Sequence, residues 1–134
     1  MTKSYHNVFN LKSKNIVVTG ANGFLGRNMC IFISQLGGNP IMIDINSVGS
    51  KSITQKIKKL YNNNPKFYHC DITDFNNLKK ISKVILKDYK SVHGLINNAA
   101  LNPKINSIKK NTNLLENFDL NKLKNEVDVG IYGT

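Results

Sequence analysis

The chain has 134 residues, 40% of them hydrophobic, and a formal net charge of +11. That length and apolar content exclude a disordered chain and suit one packed domain. The positive charge sits on lysines without tryptophan or basic–aromatic interleaving, which points to salt-sensitive attraction to polyanions rather than specific nucleic-acid binding.

The first element is a buried strand, Asn15–Thr19, a continuous apolar run ended by glycine. Gly20, Gly23 and Gly26 follow, three apart, in the string TGANGFLG. Over 24–36, Leu25, Met29, Phe32, Ile33 and Leu36 recur at helical spacing and predict one buried face. A strand, a glycine turn and a helix start together make a place for a dinucleotide pyrophosphate. Glycine lets a ligand approach the main chain, and the helix start offers unpaired N–H groups with a partial positive charge. The common fingerprint is G-x-G-x-x-G, and this G-x-x-G-x-x-G is a variant of it. A glycine-rich turn without a ligand is the plainer alternative.

Gly37, Gly38, Asn39 and Pro40 predict the end of that helix. A second buried strand follows over 41–43 and ends in Asp44, 24 positions after Gly20. An acidic residue about 20 positions on hydrogen-bonds the adenosine ribose in such sites, and its charge repels a 2′-phosphate. That favours NAD over NADP; a strand-end aspartate that only closes a turn is the alternative. Arg27 pulls the other way, because a cation there can meet a 2′-phosphate, unless it simply faces water.

Ile53, Ile57, Leu60 and Tyr61 predict a second helix, with Lys56, Lys58 and Lys59 outside. Residues 62–65 read as a turn and 66–70 as a third strand. Thr73 or Asp74 then caps a third helix with Leu78, Ile81, Val84 and Ile85 inside. Residues 92–96 read as a fourth strand, leading to Asn97, Asn98, Ala99 and Ala100. Residues 103–118 carry no clear period and read as loop, with a last helix from about Asp119 that turns Leu120, Leu123 and Val127 inward. This β-α-β-α-β-α-β order is the pattern of an α/β fold, a Rossmann-type doubly wound parallel sheet. About four strands with flanking helices make it an incomplete one. The second and third strands belong on one side of the first and the fourth on the other, so the glycine loop, Asp44 and residues 97–100 converge at the strand-order reversal.

With those residues in view, the chain resembles the N-terminal half of a short-chain dehydrogenase/reductase. Leu11-Lys12-Ser13-Lys14 is similar to that family's lead-in, and TGANGFLG resembles its cofactor loop. Asn97-Asn98-Ala99-Ala100 resembles its N-N-A-G signature, with Ala100 in place of glycine. The resemblance implies a cofactor site of Gly20, Asn22, Gly23, Phe24, Leu25, Gly26, Asp44, Asp71, Ile72, Asn98, Ala99 and Ala100. Within it Asp71 and Ile72 pack on adenine, Asn97 braces the sheet, and Asn98, Ala99 and Ala100 line the ribose and nicotinamide path.

Residues 128–134 resemble the family's D-V-N-L-x-G-T, with Gly130 where the relay asparagine stands. None of Tyr5, Tyr61, Tyr68, Tyr89 and Tyr132 has a lysine four residues later, so no catalytic residue is assigned. Hydride transfer needs a proton donor of lowered pKa, which that lysine supplies in the family. The expectation is one NAD(P)-binding domain over 1–134, truncated before the catalytic segment of an oxidoreductase. The alternative is a non-catalytic domain that binds a dinucleotide or a partner subunit through an exposed sheet edge.

Cys30 and Cys70 read as core residues, and the spacing of cysteines and histidines offers no metal cluster. His6, His69 and His93 read as structural or exposed. No apolar leader or membrane-length run is visible, so the expected location is cytoplasmic. The expected partners are a small-molecule substrate and a second copy of the chain, with no membrane and no specific nucleic acid.

Overall fold

A computed structural model of the chain describes residues 9–101 and 119–134. Tyr5, His6 and the loop expected over 103–118 lie outside them.

Strand β1, Asn15–Thr19, leads into helix α1, Phe24–Gln35. Strand β2, Asn39–Asp44, helix α2, Ser50–Tyr61, and strand β3, Lys66–His69, follow. Helix α3, Phe75–Tyr89, connects to strand β4, Gly94–Ile96. Helix α4, Leu120–Val127, runs into a π-helical turn, Asp128–Tyr132. All strand pairs are parallel, in the order β3-β2-β1-β4. The sheet reverses direction of growth between β1 and β4, as the sequence order predicts.

Alternation along the strands divides the core into two layers. Val18 and Met42 face α1 and α2, where Ala21, Cys30, Ile33, Ile53 and Ile57 pack. Val17, Ile41 and Ile43 face the opposite way, with Tyr68, Cys70, Ile72 and Ile85. Both cysteines are free and buried, and burial pushes the Cys30 thiol up to about 12.

The buried face of α1 differs from the sequence expectation. Leu25 and Phe32 are 62% and 58% exposed, while Gly26, Cys30, Ile33 and Ser34 are buried. Gly26 explains the rotation. A Cβ there would meet the carbonyl oxygen of Gly20 and stand 2.7 Å from the Ala21 Cα. The helix can approach the β1 turn only on its glycine side, so positions 26, 30 and 33 point inward. The largest apolar residues are left on the rim.

The other departures are smaller. Leu60, Val84, Leu120 and Leu123 are exposed rather than inward. Helix α1 ends before Gly37 as expected, but strand β2 begins at Asn39 rather than at 41 and takes in Pro40. Asn39 N–H donates to Lys14 O at 2.8 Å, so the neighbouring Pro40 faces the other side. There β3 begins only opposite Ile41, and the missing donor costs no ladder bond. Strand β4 is three residues rather than five: His93 N–H donates to Asn15 O, but the Asn15 N–H goes to His93 Nδ1 at 3.0 Å instead of to a further ladder position.

Asparagines stitch the strand starts. The Asn15 amide donates to Tyr89 O and Ser91 O, and Asn39 Nδ2 donates to Asn15 Oδ1 at 3.1 Å. These bonds fix the end of the sheet away from the cleft, so the loops at the other end start from a rigid platform.

Candidate functional site

The carboxyl ends of the strands open into one cleft of about 590 Å³. It is built first by the turn after β1. Gly20 has φ +61, and a Cβ on it would come 2.8 Å from Ala99 Cα. A side chain is excluded there twice, by backbone strain and by the β4 loop pressed against it. Gly23 N–H donates to Gly20 O at 3.1 Å, closing the turn that starts α1.

Gly23 caps α1 and no side chain does. The first intrahelical bond runs from Arg27 N–H to Gly23 O at 3.0 Å. The N–H groups of Phe24, Leu25 and Gly26 therefore precede the ladder and have no partner within it. They carry the positive end of the helix dipole.

The three glycines have different reasons to be glycine. Gly20 and Gly26 are held by the protein's own packing. Gly23 is not: its φ of −72 suits any residue, and an added Cβ would meet only Gly20 O, at 3.3 Å. Gly23 is exposed and lines the cleft. What its missing side chain leaves open is the space directly over the start of α1.

Asp44 ends β2 beside this turn. Its Oδ2 accepts from Asn22 N–H and its Oδ1 from Asn46 N–H, each at 2.8 Å. The carboxylate keeps further lone pairs toward the cleft, since each oxygen accepts more than one bond. Asn22 is buried, and its side chain points away from the opening. Its Nδ2 donates to Asn46 O at 2.7 Å and Val48 O at 2.8 Å, while its Oδ1 accepts from Arg27.

After the third strand, Asp71 Oδ1 accepts from Thr73 N–H and from the Thr73 hydroxyl, at 2.9 and 2.8 Å. That turn delivers Asp74, rather than Thr73, as the cap of α3, accepting from Asn77 N–H. Ile72 is buried against the cleft floor, where a Cβ on Gly133 would touch it at 2.9 Å.

After β4, the brace is Asn98 and not Asn97. Asn98 Nδ2 donates to Thr19 O at 3.0 Å and to Gly20 O at 3.2 Å. The Thr19 hydroxyl accepts from the N–H groups of Asn98 and Ala99 at 3.0 and 3.1 Å. Asn97 is exposed and borders a separate apolar groove of about 280 Å³ on the α3 side of the sheet. Both asparagines lie past the end of β4, and it is the second whose amide turns back to β1.

Eleven of the twelve sequence-expected site residues line this cleft: Gly20, Asn22, Gly23, Phe24, Leu25, Asp44, Asp71, Ile72, Asn98, Ala99 and Ala100. Gly26 is buried beneath it. Phe24, 83% exposed, stands at the lip. Sequence reasoning missed Ile45, Asn46, Asn125, Asp128 and Val129, which also line it. Ile45 and Asn46 were within reach as the residues directly after Asp44; the others come from an element with no strand to anchor its register. At Gly130, an added Cβ would meet nothing within 4 Å, so a larger side chain fits there. Among the described residues no group of three or more His, Cys, Asp or Glu could hold a metal, and no helix is long and apolar enough to cross a membrane.

A doubly wound parallel sheet with a glycine turn, an uncapped helix start and an acidic second strand tip at one rim defines a Rossmann-type domain. The family profile for short chain dehydrogenase matches residues 14–134, and the chain belongs to that family. An uncharacterized oxidoreductase of Saccharomyces cerevisiae is 26% identical over 130 residues, covering 97% of this chain and 38% of the relative. Sorbose reductase of Candida albicans is 29% identical over 94 residues, covering 70% and 33%. The chain thus spans about a third of the length of these curated relatives. Among solved structures, NAD+-bound xylitol dehydrogenase superposes with a TM-score of 0.79 at 16% identity, over 92% of this chain and 44% of that one. NADPH-dependent 3-quinuclidinone reductase from Rhodotorula rubra gives 0.77 at 18% identity, over 99% and 47%. These likenesses establish the fold.

Proposed function

We propose that this chain is the cofactor-binding half of an NAD(P)-dependent oxidoreductase of the short-chain type. In this reading residues 1–134 act as one binding domain and NAD is the preferred form. The observation that carries it is Gly23: of the chain's own atoms only Gly20 O, at 3.3 Å, crowds its Cβ position, so the absent side chain is explained by a ligand lying over the start of α1.

The residues present fit such a ligand. The N–H groups of Phe24, Leu25 and Gly26 receive the pyrophosphate, as bare amides at a helix start do. Asp44 accepts from the adenosine ribose hydroxyls, and its charge opposes a 2′-phosphate. Asp71 and Ile72 border the adenine, and Asn98, Ala99 and Ala100 border the path toward the nicotinamide. Asn22 acts at one remove, through its N–H to Asp44. Bound nicotinamide supplies hydride exchange with a small-molecule alcohol or carbonyl, and proton transfer is assigned to no residue of this stretch.

The names of the relatives, a sorbose reductase and neighbours using NAD+ or NADPH, support nicotinamide chemistry. They include both cofactor forms, and the preference for NAD rests on Asp44. The reading also places the protein in the cytoplasm and makes the short β4 edge, with Leu95 exposed beside the apolar groove, a route to a homo-oligomer.

Thermal unfolding with added nucleotide tests this. A ligand at about 100 times its Kd stabilises the folded state by about 2.7 kcal/mol, so NADH raises the midpoint by several degrees. A midpoint unmoved by NADH and NADPH alike contradicts the reading.

A further inference from the structure

Arg27 lies four residues into the region where an anionic cofactor would rest, yet it is already committed. Its Nε and Nη2 donate to Asn22 Oδ1 at 3.1 and 2.7 Å, and Nη2 also reaches Val48 O at 3.3 Å. Among the described residues its charge has no carboxylate partner, since the one ion pair there is Lys66–Asp88. Its acceptors are a neutral amide oxygen and a carbonyl.

That amide is the centre of a chain of bonds. Asn22 Nδ2 ties down the carbonyls of Asn46 and Val48, so residues 46–48 are gripped by one side chain. Asn22 N–H meets Asp44 Oδ2. Asn46 N–H meets the other oxygen of the same carboxylate. Guanidinium donation to Oδ1 polarises the amide and strengthens what Nδ2 donates. Gly49, with φ +78, passes so close that a Cβ on it would stand 3.2 Å from Arg27 Nη2. The loop therefore follows the guanidinium closely.

We propose that Arg27 is a positioning residue for cofactor selection: its fork fixes Asn22, and Asn22 fixes both the loop after β2 and the carboxylate of Asp44 in the form that takes an unphosphorylated ribose. This rests on the cofactor reading above. It reverses the simple expectation for a cation beside the glycine turn. To meet a 2′-phosphate, Arg27 has to release Asn22 and leave a buried amide oxygen without its donors. The fork makes the arrangement specific to arginine, because lysine presents a point charge and cannot span Nε and Nη2 positions.

The test uses the full-length protein with Arg27→Ala, Arg27→Lys and Asn22→Ala. Two readouts are taken: amide hydrogen exchange without nucleotide, and titrations with NADH and NADPH. Positioning predicts faster exchange at the Asn22 and Val48 amides in all three variants. It predicts that NADH affinity falls about tenfold, the scale of one lost charge-assisted bond, while NADPH affinity falls less. Lysine does not rescue, and the double variant Asn22→Ala with Arg27→Ala is no worse than either single change. Loss of NADPH affinity alone, or a lysine variant with wild-type affinities for both nucleotides, overturns the proposal in favour of phosphate attraction. Unchanged exchange at both amides overturns it outright. If the wild type binds neither nucleotide, the cofactor reading fails, the selection role fails with it, and the exchange data still decide whether the clamp exists.

Discussion

Thr19 and Asn98 hold the two sides of the cleft together through both main chain and side chain. The Thr19 hydroxyl accepts from Asn98 N–H at 3.0 Å, and Asn98 Nδ2 returns a bond to Thr19 O at 3.0 Å. Because β1 and β4 pair only through Ile16, Val17 and Val18, this contact extends their pairing past the last ladder position. It is what sets Ala99 against Gly20. Thr19→Val keeps the shape and removes the acceptor, so the half-buried N–H groups of Asn98 and Ala99 lose their partner. Urea unfolding of that variant is expected to lose about 1 kcal/mol, the low end of the cost of stranding donors, since these two are half-buried. A loss within experimental error of zero argues against the hydroxyl as the brace.

In the proposed reading, Asp44 carries the cofactor preference. Wild-type protein is expected to bind NADH more tightly than NADPH, and Asp44→Ala to narrow that gap. The loss for NADH is roughly 10- to 100-fold, the worth of one or two bonds to a charged acceptor. The same change strands the N–H groups of Asn22 and Asn46, so a lower unfolding midpoint accompanies it. Equal affinities of the wild type for the two nucleotides remove the argument from Asp44.

Away from the cleft, Asp88 gives the fold an acid-sensitive contact. The Tyr68 hydroxyl donates to its Oδ2 at 2.6 Å, and the Lys66 ammonium lies 3.0 Å away. These two hold its carboxyl below the ordinary carboxylate range, the hydroxyl first and the ammonium second. Burial, and then the Asp88 bond, push the Tyr68 phenol up. A carboxylate with a lowered folded pKa adds stability above its unfolded pKa of about 3.9, and that stability is lost as the pH falls through the folded value. Asp88→Asn is therefore expected to lower the unfolding midpoint at neutral pH, with the difference from wild type closing below about pH 4. A difference that stays constant from neutral to acid points to packing rather than charge.

Much of this was legible in the residues because two periods and a few turn formers carry it. Four strands, three helices between them and their order follow from alternating apolar runs broken by glycine, asparagine and proline. The cleft follows too, since a parallel doubly wound sheet has one rim where the loops meet. The inward face of α1 did not follow. Apolar spacing nominated Leu25 and Phe32, whereas the closest contact is made by the residue with no side chain, Gly26. A hydrophobicity pattern cannot register the value of an absent atom. Asn97 and Asn98 exchanged roles for another reason: both lie just past the end of β4, and a pair of identical residues does not say which one turns back to β1. The clamp of Arg27 on Asn22 and Val48 was invisible, because its partners are a side-chain amide 5 positions away and a backbone carbonyl 21 positions away.

The claim on which the rest depends is that a ligand, and not the protein, requires glycine at position 23. Calorimetric titration of NADH into wild type, Gly23→Ala and Gly26→Ala, each first checked for folding, addresses it most directly. Gly26→Ala is expected to lose several kcal/mol of stability from overpacking against Gly20 and Ala21. Gly23→Ala is expected to stay within about 1 kcal/mol of wild-type stability, since one 3.3 Å contact can relax, while its NADH affinity falls at least tenfold. If Gly23→Ala binds NADH as the wild type does, or if well-folded wild type gives no heat with either nicotinamide nucleotide, the account is contradicted.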